Sequence, residues 1–119
     1  MNIIVTDGGR CLEWNDGNSI VKKQYQFPVL DYQVSVDGNL VLILEPTEIY
    51  APENAAIYSV SGDLVWRLPF TDKSGKGILF DRVGLRDNHL MAIAVVSGRD
   101  VGFVVDEKSL SYLTIFEAR

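Results

Sequence analysis

The chain carries one cysteine and one histidine in 119 residues. A single Cys excludes an internal disulfide, and a single His excludes a His-rich metal site. Basic residues are also short: 11 Lys and Arg stand against 16 Asp and Glu, a net charge of −5, with a pI near 4.7. That balance argues against general nucleic-acid binding and against anionic membrane surfaces, and favours a basic partner. The longest strictly apolar run, Leu90 to Val96, is too short to cross a membrane. Met1 to Asp7 has no basic n-region and no long apolar stretch, so no signal peptide is expected. These shortages set the expectation of a reduced, soluble, cytoplasmic protein. The last shortage is of helical periodicity. No window of ten or more residues repeats apolar positions at i, i+3 and i+4, so no helix longer than two turns is expected.

What the chain does have is ordinary globular material. The hydrophobic fraction is 47% and the charged fraction 23%, enough for one domain over residues 1–119 with a real core. Short β-branched and aromatic runs recur, parted by Gly, Asp, Asn and Ser. They are Ile3–Val5, Cys11–Trp14, Val29–Val36, Leu40–Leu44, Ala56–Val60, Leu64–Leu68, Ile78–Leu85, Leu90–Val96, Val101–Val105 and Leu110–Phe116. Asp37-Gly38-Asn39, Ser61-Gly62-Asp63 and Arg86-Asp87-Asn88 are hairpin signals, because Gly and Asn tolerate positive φ. The fold class expected is all-β and antiparallel, with about ten strands.

The runs repeat. A shift of 50 residues lays Val29-Leu30-Asp31 on Leu79-Phe80-Asp81 and Leu40–Ile43 on Leu90–Ile93. Three hairpins share one plan of apolar strand, polar turn and closing aromatic: Ile3 to Trp14, Ile57 to Trp66, and Val101 to Tyr112. The chain therefore divides into a hairpin at 1–14 and four-stranded units at 29–68 and 78–116. The segment Ile57-Tyr58-Ser59-Val60-Ser61-Gly62-Asp63-Leu64-Val65-Trp66 resembles the third-to-fourth-strand hairpin of quinoprotein-type β-propeller blades. The resemblance implies about two and a half blades, an open half-propeller. A β-sandwich or open barrel is the alternative. Too few blades are present to close a ring, so the quinone or metal chemistry of complete propellers does not carry over.

Motifs for catalysis are thin. Thr71 to Gly77 contains Gly-Lys but lacks the first Gly of a phosphate loop, and reads as a solvated linker. His89 stands at a hairpin tip, expected in water. Cys11 has no cationic context to make it a nucleophile, and is expected as a packed or edge thiol. No nucleophile elbow is present. No catalytic residues, metal ligands or cofactor are assigned. Asp31 and Asp81 fall at the same place in the two units, and read either as equivalent structural acceptors or as ligand-facing carboxylates.

The most distinctive segment is Glu45 to Asn54, which joins two strands of the first full unit. The matching joint in the second unit is only Ser97 to Asp100. Glu45, Glu48 and Glu53 surround Ile49 and Tyr50, and two prolines stiffen the segment. Carboxylates about a Tyr suit the capture of a basic surface. The alternative is that Ile49 and Tyr50 fold back over a sheet edge. The expected partner-binding residues are Glu45, Glu48, Ile49, Tyr50, Glu53, Asp31 and Asp81. Small size and acidity are similar, at the level of class, to bacterial immunity proteins of contact-dependent inhibition systems. That similarity implies a non-enzymatic binding protein that occludes the active site of a basic, nuclease-like toxin. A protein-interaction module, or a half-propeller that pairs as a homodimer through its terminal strands, is the other expectation.

Overall fold

A computed structural model of the chain describes residues 1–70 and 79–117. The Gly-Lys segment at 71–77 lies outside the described residues. Eleven antiparallel strands form three separate meanders among the described residues, none of them closed. The first sheet holds β1 (Ile4–Thr6), β2 (Cys11–Asn15) and β3 (Ile20–Gln24). The middle sheet holds β4 (Asp31–Val34), β5 (Leu40–Leu44), β6 (Ala55–Ser59) and β7 (Leu64–Arg67). The last sheet holds β8 (Phe80–Arg86), β9 (His89–Val96), β10 (Arg99–Asp106) and β11 (Ser111–Glu117). The only α-helix described is one turn, α1 (Thr47–Tyr50). No described helix is long and apolar enough to cross a membrane.

β3 is the strand that composition hides. Ile20-Val21-Lys22-Lys23-Gln24 carries only two apolar residues, and it pairs with β2 from Asn15↔Ile20 to Cys11↔Gln24. Its inward Lys23 is satisfied locally: Nζ donates to Gly62 O at 2.6 Å and lies 4.3 Å from the Tyr58 ring centroid. The 1–14 hairpin is thus two strands of a three-stranded sheet.

The sheets stack face to face, and period-two alternation sorts each strand between two cores. On β5, Val41 and Ile43 meet Leu12 and Trp14 of the first sheet. Leu42 and Leu44 turn the other way, to Phe80, Leu90, Ala92 and Phe103 of the last sheet. Trp14 is fully buried, and its indole N–H donates to Val60 O at 2.6 Å. Gly62 permits this closeness. It sits at φ +94°, and a Cβ there would lie 2.7 Å from Val21 Cγ1.

All three layers stack in the same sense. The middle sheet faces its predecessor with Val34 and Val41, a cross-strand pair next to the Ser35 N to Leu40 O bond. The last sheet faces its predecessor with Leu90, whose cross-strand partner is the more exposed Leu85, one pair beyond the Arg86–His89 pair that closes the two-residue turn Asp87–Asn88. Both are non-hydrogen-bonded pairs, so the same face of each meander looks back along the stack. Both turn residues have positive φ, +50° and +67°, as a type I′ hairpin requires.

This corrects the 50-residue repeat. Leu42 and Ala92, placed in equivalent positions by that shift, face each other across one core. Trp66 and Tyr112 likewise meet, with ring centroids 5.3 Å apart, instead of closing equivalent hairpins. The turn closed by Ser35 and Leu40 is two residues longer than the turn at 87–88, so the structural offset is 51 residues from β4 to β8 and 49 from β5 to β9, and one residue off the 50-residue shift puts a side chain on the other face.

Candidate functional site: the 45–54 loop

Strand pairing closes the loop at its base. Glu45 N donates to Asn54 O at 2.7 Å, directly beyond the last β5–β6 pair, Leu44↔Ala55. The segment between is a compact surface loop whose ends meet. Pro46 precedes α1, where Tyr50 N donates to Pro46 O at 3.1 Å, and Ala51–Pro52 is a cis peptide.

Two buried polar residues anchor this base. The Glu45 side chain is 1% exposed. Its Oε2 accepts from Tyr25 Oη and from Tyr58 Oη, both at 2.6 Å. Its Oε1 lies 2.7 Å from Arg67 Nη2, a charge contact without hydrogen-bond alignment. Burial, then the adjoining Glu45 carboxylate, pushes the Tyr25 and Tyr58 hydroxyls far above their usual range, so both stay protonated donors. Burial works against the Arg67 charge, but Glu45 outweighs it and the guanidinium lies above its usual value. Asn54, fully buried, bridges to the last sheet. Its Oδ1 accepts from Phe80 N at 3.0 Å, and its Nδ2 donates to Phe80 O at 2.9 Å.

The seven expected partner-binding residues therefore part company. Glu45 is corrected from a contact residue to an internal anchor, because its oxygens are already engaged and water does not reach them. Tyr50 folds back, as the edge-cover alternative holds: its ring meets Tyr25 edge-on at 6.5 Å and lies 4.9 Å from the Arg67 guanidinium carbon. Ile49 does not follow it, and remains 51% exposed. Glu48 is exposed beside it. Glu53 is exposed too, yet is partly engaged, since its Oε2 accepts from Phe70 N at 3.2 Å.

Asp31 is the first residue of β4 and Asp81 the second of β8, which places both at the loop's end of the sheets. They do different work. Asp31 Oδ1 accepts from Tyr32 N at 2.8 Å, and its Oδ2 accepts from Val83 N at 3.3 Å, joining the middle and last sheets. Asp81 sits at the register shift of β8 and pairs with Arg82, 3.3 Å away. Arg82 is also bound to Asp100.

Sequence reasoning missed Asn54, Tyr25 and Arg67. Asn54 had a local signal as the last polar residue before an apolar run. Tyr25 and Arg67 had none, since both reach Glu45 across long stretches of chain.

At the opposite end, three hairpin turns border a cleft of about 650 Å³ lined by Val36, Asp37, His89, Asp106, Glu107 and Lys108, among others. His89 is not free in water: Nδ1 lies 2.7 Å from Glu107 Oε1, and Glu107 Oε2 accepts from Leu90 N at 3.1 Å. Cys11 is buried. The fold is thus an all-β stack with one anchored, protruding loop. No protein-family model, curated protein or solved structure matches the chain.

Proposed function

We propose that this chain is a non-enzymatic binding protein, an open half-propeller whose 45–54 loop meets a basic protein surface. In this reading it is a cytoplasmic bacterial immunity protein, and its partner is a nuclease-like toxin whose active site it occludes. The observation that carries the proposal is the anchored loop. Glu45 and Asn54 hold its base from inside, while Ile49 and Glu48 stand out in solvent. A loop already fixed in shape loses little entropy on binding. Ile49 supplies an apolar anchor. Glu48 and the net charge of −5 steer a cationic partner and speed association. Carboxylates at the rim pair with the Lys and Arg groups that a nuclease uses for phosphate.

The reading requires a large gene immediately upstream of this chain's gene that ends in a toxin domain, and the test uses that domain. That domain is expected to arrest growth, and co-expression of this chain to restore it. In a kinetic titration against the same domain, Glu48→Lys is expected to slow association several-fold and weaken its salt dependence. Ile49→Asp is expected to raise the dissociation rate about tenfold or more. Both variants should melt like the wild type. A domain that neither binds the chain nor is neutralised by it sinks the reading.

A further inference from the structure

No further described sheet packs on the two end faces of the stack. On the last sheet the outward face carries the half-buried Met91 and Ile93 and the buried Val104, with Phe116 lying across Gly102 under the Arg86 guanidinium. A Cβ on Gly102 would sit 2.7 Å from the Phe116 ring, so the glycine lets the aromatic lie flat. Beside Phe116 is a depression of about 460 Å³ that includes Val104 and Leu113. On the first sheet the outward face carries Ile4 and Ile20, 58% and 59% exposed, flanking Glu13 and Lys22. It has its own depression of about 350 Å³.

We propose that these two faces are complementary, and that two copies of the chain close head to tail into a ring of six sheets. Three observations choose a second copy as the occupant. First, the stack has one sense: each forward face already takes the backward face of the sheet that follows. The open forward face belongs to the last sheet, and the open backward face to the first. Second, the middle and last sheets are wedged, since β8 approaches β4 and β5, where Asp31 bonds Val83. Wedges stacked in one sense curve round toward closure instead of running straight.

Third, area favours closure over a chain of copies. Three strands of three to five residues make a face of about 14 by 17 Å, or roughly 240 Å². One head-to-tail contact hides about 500 Å² counting both partners, below what a specific interface needs. A closed pair makes the contact twice and reaches about 1,000 Å², the lower bound for a stable interface. The contact is heterologous, so it involves two different patches and closes only because the rotation does. The 45–54 loop lies on neither face.

Sedimentation equilibrium of the full chain tests this. The expected mass is twice 13.3 kDa at micromolar concentration, with no larger species. Ile20→Glu and Ile93→Lys alter opposite ends of the stack, and each alone is expected to weaken dimerisation at least tenfold. Combined in one chain, the new charges are opposite in sign on the two mating faces and should recover part of the lost affinity. Thermal melts of all variants check folding. If Ile93→Lys unfolds the chain, Ile20→Glu at its exposed site decides alone. A wild type that stays monomeric overturns the proposal. So does mass that grows without limit, which means filaments. A dimer broken by Ile93→Lys but indifferent to Ile20→Glu overturns it as well, because the last sheet would then be pairing with its own copy.

Discussion

Asn54 holds Phe80 by both of its backbone groups, accepting from the N–H at 3.0 Å and donating to the C=O at 2.9 Å. One side-chain amide thus replaces a strand neighbour for the first residue of β8, and fastens the base of the loop to the last sheet.

Asn54→Ala would leave two buried backbone groups of Phe80 without partners. The expected cost is about 2–4 kcal/mol of folding stability. Urea titration measures it, with an unchanged slope showing that the native fold persists. A loss below about 0.5 kcal/mol would mean that water replaces the amide.

Glu45→Ala should be comparably damaging, about 2–4 kcal/mol, because two buried tyrosine hydroxyls lose their acceptor while Arg67, still partly exposed, can turn to water. Glu45→Gln should cost less, since its amide oxygen still accepts from the tyrosines. The order of the two variants in a thermal melt is the check. Equal costs would show that the charge on Glu45, and not its hydrogen bonding, is what the site requires.

Tyr50→Ala should act on folding more than on binding. Its ring braces Tyr25 and Arg67, so truncation is expected to lower the melting temperature by a few degrees. Affinity for a partner should fall less than in Ile49→Asp. A large loss of affinity with an unchanged melt would return Tyr50 to the interface.

The His89–Glu107 pair predicts a pH signature. The hydrogen bond to Glu107 raises the His89 pKa above its usual 6.5. The folded state therefore binds the proton more tightly than the unfolded one. The resulting stability is full below pH 6.5 and is lost as pH rises through the raised folded value. Asp37 and Asp106 behave oppositely. The Ser35 hydroxyl lowers Asp37, and the backbone N–H of Ser109 lowers Asp106, both below 3.8. Their contribution is present above 3.8 and fades as pH falls through the lowered folded values. The melting temperature should peak between these windows, and His89→Gln should flatten only the alkaline limb.

Ten of the eleven strands and most turns are legible in the sequence because alternation and turn chemistry are local. β3 is not, since its inward Lys23 finds a carbonyl and a ring 35 and more residues away, a contact no window contains. The stacking sense is not legible either. It depends on which residues close each turn, and an offset of one residue reverses a strand's faces. For the loop, length and composition marked the segment, and Ile49 and Glu48 stand where exposure was expected. Glu45 looked like its neighbouring glutamates, and only the tertiary approach of Tyr25, Tyr58 and Arg67 sets it apart.

β5 has a role beyond position. Leu40 to Leu44 gives one wall to each core, with no polar side to spare. Opening that strand exposes both cores together, so the sheets cannot melt one after another from the middle. Unfolding becomes a single cooperative event in which the β5 and β6 amides are the last to exchange with solvent, while the short edge strand β1 frays independently. The strand thus makes three small sheets into one folding unit.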